Sequence, residues 1–244
     1  GRYYATHDGE AAEVAHALEE QYLPRFAGDE VPSTRTGLAL ALADRLDTLT
    51  GIFGIGQRPS GTKDPFALRR ASIGVLNILI KGELDLDLRE LLELAAAQHQ
   101  ELPYSEGLVD EVLAYMLDRF RAWGRDEGIE AEVYLAVRAR PVTKPLDFAR
   151  RLQAVHAFAS REEAAALAAA NKRVSNILAK QDVETSLEID ASLLAEEAER
   201  ELAEALSHCR EKVAPLFAEA RYSDALDVLA GLREPVDCFF DQVM

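Results

Sequence analysis

Apolar residues recur at helical spacing along almost the whole sequence. Val14, Leu18 and Tyr22 lie four residues apart. Further along, a row at steps of three or four residues comprises Leu226, Leu229, Leu232, Val236, Phe239 and Val243. This spacing places apolar side chains on one face of an α-helix. No stretch alternates apolar and polar residues over the length that a half-buried strand needs. The sequence therefore predicts an all-α fold.

The composition is that of a packed but strongly acidic protein. Its 244 residues are 48% hydrophobic and carry a formal net charge of −16, and this length suits one or two domains. No run approaches the roughly 18 consecutive apolar residues of a membrane helix, and the N-terminus lacks the apolar region of a signal peptide. Only Cys209 and Cys238 are present, so we expect reduced thiols rather than a disulfide framework. These features predict a cytoplasmic protein that does not bind membranes.

Three places in the sequence bear on how the chain is divided. It lacks an initiator methionine and stops at residues 239–244 in mid-pattern, so we expect a fragment of a longer chain. Residues 138–145 contain Pro141 and Pro145 among several basic residues, a composition typical of a linker. We therefore expect a domain boundary near residues 140–145.

Residues 43–70 contain a helical pattern, a glycine-rich turn and a second helical pattern. Asp64 precedes Pro65, which predicts that the second helix begins there with a capping carboxylate before its first-turn proline. Residues 45–81 hold two acidic residues and six basic ones, namely Arg45, Arg58, Lys63, Arg69, Arg70 and Lys81. A local excess of positive charge on an acidic chain indicates an anionic partner.

The turn at residues 56–63 resembles a phosphate-binding P-loop without matching it. Its last two residues are Thr62 and Lys63, which is the reverse of the Lys-Ser/Thr order, and a helical pattern rather than a strand precedes it. A turn that needs the positive φ of glycine is the favoured interpretation. A third possibility is that Arg58 and Lys63 contact a phosphate backbone, which needs charge but little exact geometry.

A metal site is a further possibility. The pair His7-Asp8 followed by Asp44 resembles part of the ligand set of the HD superfamily of metal-dependent phosphohydrolases. Three scattered ligands underfill such a site, which favours a degenerate HD-like fold without metal. The sequence shows no Ser-His-Asp or Cys-His arrangement that would indicate a catalytic nucleophile.

A second basic segment lies at residues 171–180. On a helix, Lys172, Asn176 and Lys180 align at steps of four with Arg173 beside them, whereas Leu167, Val174 and Leu178 fall on the opposite side. One face would then pack, and the other would offer cations and an amide to a nucleic acid. Arg150 and Arg151 lie on a neighbouring helical segment and extend this surface. The alternative is an ordinary solvated charged face.

Five segments together resemble one protein family. The resemblance is carried, in family order, by residues 22–29, 43–49, 51–56, 63–70 and 171–178. They look like the β subunit of bacterial glycyl-tRNA synthetase of the α2β2 type, and the resemblance covers nearly the whole chain. In that family the β subunit is much longer, mostly on the N-terminal side.

The resemblance implies a division into three parts. Residues 1–95 would be the later part of an HD-like helical domain, residues 96–144 a helical connector, and residues 145–244 a DALR-like anticodon-binding bundle. It also implies that the chain is the tRNA-binding portion of a glycine–tRNA ligase β subunit. The partners would be tRNA(Gly) and the α subunit in an α2β2 heterotetramer. ATP and Mg would act at the α subunit, with no cofactor and no catalytic residue in this chain.

Two groups of residues would contact tRNA under this hypothesis. The group expected at the anticodon arm is Lys172, Arg173, Asn176, Lys180, Arg150 and Arg151. The group expected at the phosphate backbone elsewhere is Arg58, Lys63, Arg69 and Arg70. A metal-dependent phosphohydrolase and a helical protein-interaction module remain as alternatives.

Overall fold

The computed structural model describes residues 1–26, 28–140, 143–179 and 189–243, and within them it is helical without any β-strand. The α-helices are α1 (Arg2–His7), α2 (Ala12–Glu20), α3 (Arg35–Gly54), α4 (Leu68–Lys81), α5 (Leu88–Ala96), α6 (Leu108–Asp126), α7 (Ala131–Arg138), α8 (Pro145–Ala159), α9 (Glu162–Leu178), α10 (Glu197–Ala218), α11 (Tyr222–Ala230) and α12 (Arg233–Gln242), and a 3-10 helix spans Ala191–Leu193. This confirms the all-α prediction. Among these described residues, no helix is both long enough and apolar enough to cross a bilayer.

The chain forms two compact units, Gly1–Ala149 and Arg150–Met244, and the division falls inside α8. The linker prediction concerned residues 138–145, of which Pro141 and Val142 lie outside the described residues. The finer three-part division stays a prediction.

The core of the first unit is built around α3, which packs against α2, α4, α5 and α6. Leu49 of α3, Leu76 and Ile78 of α4, and Met116 of α6 are fully buried. Complete burial of such a side chain contributes about 1.5–3 kcal/mol relative to exposure. This core supplies the rigid support for the turn between α3 and α4.

The buried carboxylate of Glu20, at the end of α2, fixes the entry into α3. It accepts hydrogen bonds from the backbone N–H and the hydroxyl of Ser33, both at 2.7 Å, and from the N–H of Thr34 at 3.2 Å and the Thr34 hydroxyl. Thr34 in turn caps α3 by accepting from the N–H of Gly37 at 3.0 Å. Burial by itself raises the pKa of Glu20, but the hydrogen bonds from Thr34 and Ser33 outweigh it and lower the pKa to about 2.

Arg45 of α3 holds the other end of the same connecting segment. It is 9% exposed, and its two terminal nitrogens donate at 2.9–3.3 Å to four carbonyl oxygens, those of Gln21, Tyr22, Pro24 and Ala41. Burial lowers the pKa of Arg45. This arginine, part of the basic excess seen in the sequence, is therefore used inside the fold.

The row of Val14, Leu18 and Tyr22 predicted a helix, which α2 confirms. It was wrong about the buried face of that helix. Val14 is exposed, Leu18 is half-buried, and Tyr22 lies beyond the helix with 63% exposure. The buried face of α2 consists of Ala15, Ala17 and Glu20 instead. Small side chains allow close approach to α3, and the hydrogen bonds from Ser33 and Thr34 compensate the buried charge.

The second unit packs α10, α11 and α12 together, with α9 against α11 and α12. Cys209, Val213 and Ala225 form its buried centre, surrounded by half-buried Leu216, Val228, Leu229 and Leu232. Both cysteines are free thiols, and burial raises the pKa of Cys209.

The apolar row at residues 226–243 spans two helices rather than one. α11 ends at Ala230 and α12 begins at Arg233. Pro235 has no N–H to donate, and its ring would collide with the carbonyl oxygen of Gly231 in a continuous helix. The break therefore falls just before the proline.

Candidate nucleic-acid interface

The glycine-rich turn connects two helices, α3 and α4. Gly56 and Gly61 have φ angles of +79° and +54°, which glycine adopts without a side-chain penalty. Ser60 and Lys63 exchange backbone hydrogen bonds of 3.1 and 2.9 Å. This confirms the interpretation of residues 56–63 as a turn that requires positive φ at glycine.

The second helix begins later than the sequence predicted. α4 starts at Leu68, and Pro65 lies in the preceding turn. Asp64 still acts as a cap, since its carboxylate accepts from the N–H groups of Leu68 at 2.8 Å and Arg69 at 3.0 Å. Ala67 has a φ of +55°. This left-handed residue prevents the helix from running continuously back to Pro65.

Two of the four cations expected at this turn are engaged by the protein. Arg58 forms a two-pronged ion pair with Glu111 of α6, with one contact of 2.6 Å, and its guanidinium lies 5.5 Å from the ring centroid of Tyr104. Hydrogen bonding to Glu111 raises the pKa of Arg58. Arg69 donates to the carbonyl oxygen of Gly61. Arg58 and Arg69 therefore stabilise the turn in addition to contributing positive charge to it.

The other two cations are available to a ligand. Lys63 and Arg70 are exposed, and neither side chain forms a hydrogen bond or an ion pair with any residue that the structure describes. A phosphate group could approach either side chain without displacing a carboxylate of the described residues.

A cavity of about 320 Å³ opens beside Arg70 on the surface of the first unit. Among the residues that line it are the exposed rings of Tyr22 and Phe66, the carboxylate-bearing Asp44, and the buried Arg45. Sequence reasoning did not identify Tyr22 and Phe66 as functional residues. The signal for them is an aromatic residue close to a proline outside a helix, since Pro24 and Pro65 lie nearby in the sequence.

The second group of expected contacts lies mainly on α9. Lys172 and Asn176 are exposed, whereas the guanidinium of Arg173 lies 3.9 Å from the ring centroid of Phe240 in α12. Lys180 lies outside the described residues. The structure therefore places Lys172, Arg173 and Asn176 on one helix, with Arg173 partly held by an aromatic ring.

The prediction that Leu167, Val174 and Leu178 form a packed face of α9 was wrong. No residue of α9 is buried, and Val174 and Leu178 are 41% and 45% exposed. Leu167 and Ile177 are only half-buried. α9 packs on one side, against α11 and α12, so much of its surface remains accessible to a partner.

Arg150 and Arg151 of α8 differ in their surroundings. The Nε of Arg151 donates to the hydroxyl of Tyr222 at 3.2 Å, and the guanidinium lies 5.1 Å from the centre of that ring. Arg150 is exposed and lines a cleft of about 250 Å³ together with Arg221 and Ser223. Arg150 is thus the more accessible of the pair.

The possible metal ligands do not assemble into a site. His7 and Asp8 are at the end of α1, and Asp44 is on α3. Within the described parts of the chain, no group of three or more His, Cys, Asp or Glu side chains could hold a metal ion. The donor set therefore does not fit the metal centre of an HD phosphohydrolase.

Two family models match the sequence. Residues 1–139 match the glycyl-tRNA synthetase beta subunit model, and residues 167–244 match the DALR anticodon binding domain model. The second match includes residues 167–178 of α9, among them Lys172, Arg173 and Asn176.

Relatives align with the chain over all 244 residues. Glycine–tRNA ligase beta subunits are 74% identical in Chromohalobacter salexigens, 55% in Pasteurella multocida and 56% in Pseudomonas aeruginosa. The chain spans 35–36% of the length of these relatives. Because the beta-subunit model alone matches more than half of the sequence, the chain belongs to the glycyl-tRNA synthetase beta subunit family.

Proposed function

We propose that this chain is a tRNA-binding portion of a glycine–tRNA ligase and contributes to holding tRNA(Gly) for aminoacylation. One observation carries the proposal: the accessible basic face of α9 lies within the residues that match an anticodon-binding domain model. A cationic helix face on a protein of net charge −16 suits a polyanion, because the acidic remainder disfavours non-specific contacts.

The proposed roles of the residues follow from their accessibility. Lys172 and Asn176 would reach the anticodon arm, and Arg173 would contribute charge from its position over Phe240. Lys63 and Arg70 would meet phosphates elsewhere on the tRNA. Phosphate contacts fix position and orientation and carry no sequence information directly, which matches flexible lysine and arginine side chains on helix and turn surfaces.

The remaining components of the reaction would lie outside this chain. In this proposal an α subunit, joined to β subunits in an α2β2 assembly, activates glycine with ATP and Mg in the cytoplasm. The described residues would bind and orient the tRNA and would supply no group to the reacting atoms.

The test is equilibrium binding of fluorescently labelled tRNA(Gly) by the complete ligase at several salt concentrations. Lys172→Glu should weaken binding by about tenfold, corresponding to about 1.4 kcal/mol. It should also reduce the magnitude of the slope of log K against log salt, because one phosphate contact is lost.

The matched control is Lys212→Glu, which makes the same charge change on α10, where Lys212 is exposed. This variant should change affinity much less than Lys172→Glu does. Equal losses of tRNA affinity in both variants would mean that net charge alone causes the effect. That result would contradict the assignment of α9 as a tRNA-binding surface. Absence of any salt-dependent tRNA binding by the wild-type ligase would contradict the proposed function itself.

A further inference from the structure

The cavity beside Arg70, here called the Tyr22–Arg70 cavity, is lined by two exposed aromatic rings and by the side chains of Asp44, Arg45 and Arg70. Its volume of about 320 Å³ lies at the lower end of the roughly 300–1,000 Å³ range of small-molecule sites. Tyr22 and Phe66 line it with exposed fractions of 63% and 43%. Large aromatic rings left open to solvent at a cavity are available for stacking.

The charge of the cavity is net positive after internal pairing. Arg25 is neutralised by Asp29, whose carboxylate accepts from its Nε at 2.9 Å. Arg45 donates to four carbonyl oxygens. Burial lowers its pKa and the charge of Asp44 raises it, but no carboxylate of the described residues forms an ion pair with it. Arg70 has no partner in the described structure. The residues that line the cavity include one carboxylate, that of Asp44, and it balances only one of the two positive charges of Arg45 and Arg70.

Asp44 provides an acceptor rather than a metal ligand. Its carboxylate forms no hydrogen bond or ion pair with the residues that the structure describes, and no further metal-binding side chains gather around it. A carboxylate in this state accepts hydrogen bonds. Suitable donors include the exocyclic amino group of a nucleobase or a ribose hydroxyl group.

We propose that the Tyr22–Arg70 cavity binds one unpaired nucleotide of the tRNA. The base lies against the rings of Tyr22 and Phe66, Arg70 contacts a phosphate, and Asp44 accepts a hydrogen bond from the base or the ribose. Aromatic side chains combined with cations are the usual means of holding single-stranded nucleic acid. This inference rests on the proposed tRNA-binding function and adds a site for an unstacked nucleotide to it.

The experiment measures the affinity of the complete ligase for labelled tRNA(Gly) and its salt dependence in variants of the cavity. Tyr22→Ala and Phe66→Ala should each weaken binding roughly 5- to 100-fold, the range that corresponds to loss of base stacking, without changing the salt slope. Arg70→Gln should weaken binding and reduce the slope by about one. Tyr22→Trp should restore affinity, because the indole also stacks.

The matched control is Tyr3→Ala, since Tyr3 is 81% exposed on α1 and does not line the cavity. It should leave affinity unchanged. A second arm titrates the wild-type ligase and Tyr22→Ala with free nucleoside monophosphates, which distinguishes a tRNA nucleotide from a free one.

Three results would overturn the inference. In the first, Tyr22→Ala and Phe66→Ala bind tRNA as tightly as wild type while Lys172→Glu remains weak, which leaves the proposed function intact. In the second, Tyr22→Ala abolishes binding of a free mononucleotide but not of tRNA. In the third, the cavity variants release the α subunit at unchanged tRNA affinity, which would make the cavity a protein contact.

Discussion

Gly74 leaves the space that the side chain of Arg45 occupies between α3 and α4. A Cβ atom at residue 74 would lie 2.7 Å from the Nε and 3.2 Å from the Cδ of Arg45. The guanidinium cannot move aside freely, because its terminal nitrogens hold four carbonyl oxygens. A glycine inside one helix thus permits an arginine of another to organise the segment that carries Tyr22.

We expect Gly74→Ala to destabilise the first unit by about 1–3 kcal/mol, the usual range for overpacking a core. This loss would outweigh the gain of about 1 kcal/mol that alanine brings to a helix interior. The measurement is urea unfolding followed by the fluorescence of Trp123, which is the only tryptophan of the chain and is buried in α6.

Gly124→Ala is the matched control for this substitution. Gly124 is also buried inside a helix, α6, but a Cβ there would meet its nearest neighbour, Tyr134 Cδ2, at an ordinary 3.7 Å. This variant should be neutral or stabilising. If Gly74→Ala behaves in the same way, the close packing of Arg45 against Gly74 does not limit stability.

The buried carboxylate of Glu20 should make the first unit sensitive to acid. Its pKa is lowered from 4.5 to about 2 in the folded chain, so its stabilisation is fully present above about pH 4.5 and is lost as the pH falls towards 2. At 1.36 kcal/mol per pKa unit this amounts to at most about 3 kcal/mol. The stability of Glu20→Gln should therefore fall less steeply over this pH window than that of wild type.

The measurement is the urea midpoint of Trp123 fluorescence between pH 7 and pH 3. Glu10→Gln serves as the control, because the carboxylate of Glu10 is exposed and forms no hydrogen bond with the described residues. Parallel pH profiles for wild type and Glu20→Gln would contradict the role assigned to the hydrogen bonds from Ser33 and Thr34.

The two thiols should react at different rates in the folded chain. Cys238 is half-buried, whereas Cys209 is 6% exposed and burial raises its pKa, which lowers the fraction of reactive thiolate. Titration with a coloured disulfide reagent should show one fast thiol and one that reacts only after denaturation. Cys238→Ser should abolish the fast phase. Survival of that phase in the variant would mean that the second unit opens around Cys209.

Lys63 and Arg58 should contribute unequally to tRNA affinity, although both are basic residues of the same turn. Arg58 is already paired with Glu111, whereas Lys63 has no partner among the described residues. Lys63→Ala should reduce the salt slope of tRNA binding by about one, and Arg58→Ala by much less. Glu111→Gln should increase affinity, because it frees the charge of Arg58. Equal effects of the two alanine variants would show that the Arg58–Glu111 pair opens when tRNA binds.

Local patterns in the sequence were sufficient for several features of the fold and of the interface. Helical periodicity determined the all-α class, the glycine spacing determined the turn at residues 56–63, and the basic row placed Lys172 and Asn176 on one exposed helix. These features depend on backbone preferences and on charges that lie a few residues apart. A short stretch of sequence is therefore enough to predict them.

Only the tertiary structure decided which charges and rings are available to a ligand. Arg45 is as basic as Arg70 in the sequence, but Arg45 is buried and donates to four carbonyl oxygens, whereas Arg70 has no partner among the residues that the structure describes. Tyr22 fits a helical apolar row, but α2 ends before it, and its exposed ring lines the same cavity as Phe66. Three of the four carbonyl oxygens that hold Arg45 belong to residues more than twenty positions away in the sequence. Periodicity therefore determines where a helix forms but not which of its side chains remain free.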